Sequence, residues 1–210
     1  MVKTGRRATA LRELLGAAGL RAVSPPTPPR VADLSTEGVG IVGRLYESFG
    51  GRLTPAALLP GAWDLAVDGL LVELDEELHF NRYRRLTLAE DWATELPWTA
   101  NYRRLCSDFE SRCVAAGSWG SRWTNSSCAK HFGDADPPKV LGDRGAPRWK
   151  QRALYDAIKD LFAVGSATVA VARLSIYDDL TDASVGDALD GRATAEPNAL
   201  VELVRRRSSC

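Results

Sequence analysis

The sequence has no surplus of charge. Its 27 basic and 27 acidic residues cancel to a formal net charge of zero at pH 7, which argues against coating nucleic acid through overall charge and leaves only local patches for that role. Long apolar runs are missing too. The stretch Ala8–Val23 follows Lys3, Arg6 and Arg7, but Arg12, Glu13 and Arg21 interrupt it, so neither a signal peptide nor a membrane span is expected and the expected compartment is the cytoplasm. There is no internal repeat. Cysteine is sparse: four in 210 residues, without a secretory signal, point to reduced thiols or metal ligands rather than a disulfide framework.

What is present is 45% hydrophobic sequence, enough for one substantial core in a single α/β domain. Helical spacing runs over Ala8–Leu20, with Thr9 as its cap, and over Asp33–Gly51, which carries Glu47 near its end. A Pro-rich segment, Ser24–Arg30, separates them. Phe80–Trp92 and Trp98–Ala116 read as two further helices, and Pro147–Ala163 as a strongly amphipathic one. Thr168–Ile176 is apolar and rich in β-branched residues, as a strand buried on both faces would be. The chain divides on this reading into an N-terminal helix and linker (1–32), an α/β domain (33–178) and a helical tail (179–210). Within the domain, 117–147 is a long connection with a short helix near Ser127–Phe132.

The most informative segment is Ala62–Arg85. Trp63, Leu65 and Val67 alternate with Asp64, Ala66 and Asp68, and Leu70, Val72 and Leu74 alternate with Leu71, Glu73 and Asp75. Asp68-Gly69 suits a type I′ turn, so the two runs should form a hairpin that sets Asp64 opposite Glu73. Opposed carboxylates repel, and a divalent cation between them would relieve the repulsion.

The order of helix with Glu47, strand with Asp64, strand with Glu73-Leu74-Asp75, then His79 and Arg82, then helix and strand resembles the PD-(D/E)XK nuclease superfamily. VELDEELHFNRYR in particular is similar to the E-x-D-x(3)-H segment of small bacterial nuclease domains related to the very-short-patch repair endonuclease. The resemblance covers roughly Asp33–Asp178 and implies a restriction-endonuclease-like αβββαβ core that hydrolyses phosphodiester bonds with Mg²⁺ or Mn²⁺. It implies that Asp64, Glu73 and Glu47 hold the metal, and that Asp64, Glu73, Asp75 and His79 form the catalytic set. The chain departs from the general pattern in one place. Asp75 stands where a lysine is usual, which makes His79 the candidate general base or hydrogen-bond donor. Arg82, Lys150 and Lys159 are candidates for the missing positive charge.

DNA is the expected partner, with Arg82, Arg84, Arg85, Lys150 and Arg152 as candidate phosphate contacts interspersed with tryptophans. The same arginines can instead pair with Glu76, Glu77 and Glu90. Cys106, Cys113, Cys128 and His131 suggest a Cys₃His zinc site, as the repair endonuclease has. In one continuous helix, however, Cys106 and Cys113 would stand about 10 Å apart by helical rise, so buried thiols are expected and structural zinc is not. Two alternatives to an endonuclease remain at this stage. One is a nuclease-fold binding or scaffold module without chemistry; the other is an accessory protein of a bacterial defence or toxin system with a protein partner.

Overall fold

The computed structural model describes residues 5–54 and 57–209; Lys3 and Cys210 lie outside them. Along the chain run α1 (Arg6–Ala17), β1 (Ala22–Val23), α2 (Thr36–Ser48), β2 (Leu65–Val67), β3 (Leu70–Asp75), α3 (Arg82–Thr87), α4 (Thr99–Asp108), α5 (Glu110–Gly117), α6 (Ser126–Phe132), α7 (Pro147–Gly165), β4 (Ala170–Ser175), α8 (Val185–Leu189) and α9 (Pro197–Arg206). The protein is thus mixed α/β. Among the described residues its four strands form one open sheet in the order β1-β2-β3-β4, antiparallel up to β3, with β4 parallel to β3.

The chain builds two compact units. The first comprises 1–27, 62–76 and 166–210. Here the hairpin forms as its sequence requires: Asp68 and Gly69 take φ of 45° and 85°, and Leu65 pairs with Val72. Alternation then sorts the side chains. Leu65, Val67, Val72, Leu74, Ala172 and Leu174 share one face and pack with Leu11 and Leu15 of α1, Val185 and Leu189 of α8, and Leu200, Val201, Leu203 and Val204 of α9. The first and last segments, expected as appendages, therefore supply much of this core. The other face carries Ala66, Leu71, Glu73, Asp75, Val171, Arg173 and Ser175, and all of them are buried. At the outer side of β4, Ser209 donates its amide to Val171 O (2.9 Å) and accepts the Val171 amide on its hydroxyl (3.1 Å).

Two local readings change. Gly5, not Thr9, precedes α1, and the Thr9 hydroxyl bonds back to Gly5 O within the helix. The two-residue β1 was too short to read from periodicity.

The second unit comprises 28–61 and 77–165 and is helical. α7 packs against α2, α3 and α6. Trp149 on α7 stands edge-on to Trp123 and donates its Nε1–H to Arg122 O at 3.0 Å. Ser35 caps α2 through Gly38 N, and Asn81 caps α3 through Tyr83 N and Arg84 N. The single helix expected over Trp98–Ala116 is broken at Phe109, whose φ of −115° and ψ of 8° end α4 and start α5. Among the described residues no helix is long and apolar enough to cross a membrane.

Candidate metal centre

On the hairpin, Asp64 and Glu73 meet as their register requires. The Leu74 amide donates to Asp64 Oδ2 at 2.9 Å, and the Asp64 amide donates to Glu73 Oε1 at 3.3 Å. Each acid therefore takes a backbone N–H from the opposite strand, so part of their mutual repulsion is met without a cation. Two residues on, Asp75 is bound by Arg173: one guanidinium nitrogen lies 3.0 and 2.9 Å from its two oxygens. Sequence reasoning missed Arg173. A lone arginine inside an apolar, β-branched strand was its signal, because a charge in such a strand needs a partner on the neighbouring one.

His79 ends a short 3₁₀ turn, Glu77–His79, and its Nδ1 lies 2.9 Å from Asp156 Oδ2 on α7. Asp156 was also missed, although the helix announces it. Trp149, Ala153, Asp156, Asp160 and Ala163 follow one another at steps of three and four, which places both acids on the buried stripe of α7. Asp160 is taken by Arg84 at 2.6 Å.

In the second unit His79 and Asp156 thus set an imidazole beside a carboxylate, and in the first unit Asp64, Glu73 and Asp75 share one face of the sheet. An imidazole and hard carboxylate oxygens are ligands that a divalent ion takes. Of the expected metal ligands, Asp64 and Glu73 lie on the hairpin of the first unit and Glu47 lies in the second. Glu47 is exposed on α2 and lines an apolar groove with Val42, Tyr46 and Leu53. In chain order α2, which carries Glu47, comes before β2 and Asp64.

Phosphate contacts also need revision. Arg84 is only 1% exposed and is committed to Asp160. Lys150 is buried over the rings of Tyr83 and Phe132, and burial holds its amine below the usual lysine range. Lys159 is buried as well. Arg152 is half-buried, while Arg82 and Arg85 remain exposed.

Cys106, Cys113 and Cys128 are buried thiols. Asn81 reaches Cys113 Sγ, Cys128 bonds the Asn125 backbone, and His131 Nδ1 lies 3.1 Å from the Tyr46 hydroxyl. The break at Phe109 thus does not gather them with His131 into a three-ligand group.

A family of unknown function (DUF7255) matches residues 44–191. The chain belongs to that family. The matched span takes in Asp64, Glu73, Asp75, His79 and Asp156, and within it every strand except β1. No curated protein and no solved structure matches the chain.

Proposed function

We propose that this DUF7255 member is a metal-dependent DNA endonuclease of the PD-(D/E)XK type, with His79 and Asp156 among its metal ligands. The observation that carries the reading is the contact of His79 Nδ1 with Asp156 Oδ2 at 2.9 Å, an imidazole and a carboxylate both largely shielded from water. Asp64 and Glu73 support it from the same sheet face as Asp75, where the resemblance expects acids. With α2 set aside between β1 and β2, and α3–α6 set aside before α7, the elements α1, β1, β2, β3, α7 and β4 follow one another in the αβββαβ order that the resemblance implies. A divalent ion held there would orient a water and offset charge on the phosphoryl oxygens. The bond from His79 Nδ1 to Asp156 also fixes the orientation of the ring.

The test is incubation with supercoiled, linear and single-stranded DNA in Mn²⁺ or Mg²⁺. Metal-dependent cleavage that is abolished in His79→Gln and Asp156→Asn is expected. Cleavage equal in both variants, or none at all, removes the reading.

One observation favours a second reading. Asp75 is held by Arg173 in a pair with almost no solvent exposure on either side chain, which suits a binding or scaffold module whose acids serve the fold. The same assay separates the two, because only the first loses an activity when Asp156 is changed.

A further inference from the structure

α3 divides its arginines by direction. Arg84 turns inward to Asp160, while Arg82 and Arg85, three residues apart, lie side by side on the exposed face. Between that face and α4 and α5 is a polar cleft of about 380 Å³ lined by Arg82, Arg85, Cys106, Ser107 and Glu110.

Two of its three charges cancel. Arg82 donates from Nε and Nη2 to the two oxygens of Glu110, at 3.0 and 2.9 Å, and from its backbone amide to Oε1 at 2.7 Å. Its Nη1 is tied to Leu141 O. Burial works to raise the Glu110 carboxyl, but the bonds from Arg82 outweigh it and hold the group below its usual range, so Glu110 stays ionised and bound. Arg85 is different. Its Nη1 donates to Ser107 Oγ at 3.2 Å, a neutral acceptor, and Ser107 passes its own hydrogen to Arg103 O at 3.2 Å. The hydroxyl therefore aims a lone pair at Arg85 and steadies the guanidinium. Among the described residues no carboxylate pairs with Arg85, and its remaining N–H groups are left for a ligand. A planar fork of donors with one uncompensated charge matches a phosphate oxygen pair.

We propose that this cleft seats one phosphate of a DNA backbone, with Arg85 as the contact and the Arg82–Glu110 pair as its fixed wall; the DNA partner rests on the reading given under Proposed function.

The experiment measures binding of a fluorescein-labelled DNA duplex to the full chain in EDTA, so that cleavage plays no part, at salt from about 50 to 200 mM. Arg85→Gln should weaken binding and reduce the slope of log K against log salt by about 1, as loss of one phosphate contact does. Arg104→Gln, which removes an exposed arginine paired with Asp108 on α4, serves as the control and should leave the slope unchanged. A duplex bound with the same slope in Arg85→Gln overturns the seat but not the nuclease. A slope lost on Arg85→Gln, with no cutting in Mn²⁺, keeps the seat and removes the nuclease. A duplex that the unaltered protein does not bind overturns both.

Discussion

Arg173 reaches both oxygens of Asp75 through a single nitrogen, from the strand that lies parallel to it. Glu73, not Asp75, is its register partner, so the contact runs diagonally along the sheet face. Removing one partner leaves the other charge buried. Arg173→Met should therefore cost about 3–5 kcal/mol of stability, measured as a drop in the urea midpoint. The double variant Asp75→Leu/Arg173→Met should cost less than the sum of the two single changes; simple additivity would mean that the pair is not coupled.

Metal binding should show in stability before it shows in chemistry. At a Mn²⁺ concentration about a hundredfold above its dissociation constant, the folded state should gain about 2.7 kcal/mol. EDTA should reverse the gain, and His79→Gln and Asp156→Asn should each abolish it. A thermal shift that persists in both variants would place the ion elsewhere.

His131 gives a pH dependence with a definite sign. The amides of Arg52 and Leu53 donate to the Tyr46 hydroxyl at 3.2 and 3.0 Å, so its own hydrogen is directed at His131, where Nδ1 at 3.1 Å is nearer than the carbonyl oxygen at 3.4 Å. Burial holds the imidazole below its usual pKa. The unfolded chain consequently takes up the proton first. Stability is full above the unfolded histidine value of about 6.5, falls as pH drops through it, and levels off once pH is below the folded value. Urea midpoints from pH 8 to pH 5 should decline more steeply in the unaltered protein than in His131→Phe.

Much of this was legible and some was not, for physical reasons. The hairpin carried its own instructions in Asp68-Gly69 and in strict alternation, so the facing of Asp64 and Glu73 could be read without a structure. α7 and β4 were readable for the same reason, a clean period over a long run. Asp156 escaped because an acid on a helix is ordinarily read as solvent-facing, and its place on the buried stripe shows only when the steps from Trp149 are counted. The arginines of α3 were read as one patch. Helical geometry turns Arg84 inward and leaves Arg82 and Arg85 outside, a division that a list of charges does not contain. β1 pairs only Ala22 and Val23, too few residues to show any period.

Gly51 should tolerate no side chain. A Cβ there would lie 2.2 Å from Tyr46 Cε1, and that ring cannot retreat while its hydroxyl holds the Arg52 and Leu53 amides. Gly51→Ala should cost about 1–3 kcal/mol, read from denaturant midpoints. Tyr46→Ala in the same background should relieve the clash, so the two changes should combine non-additively.

Cys113 should be chemically silent. Burial pushes its thiol up to about 12, so little thiolate exists near neutrality. Iodoacetamide at pH 8 should leave it unmodified in the folded protein and label it in urea, a difference that peptide mass mapping reads directly.

The pairing of Ser209 with Val171 bears on how this protein behaves in company. A sheet with a free margin invites a second molecule to add its own strand there, the first step toward stacked aggregates. Here the backbone after α9 already occupies hydrogen-bonding positions beside β4, and the opposite margin is a strand of only two residues. Neither side offers a neighbour a long template, so the segment after α9 helps to keep one copy from zipping onto the next.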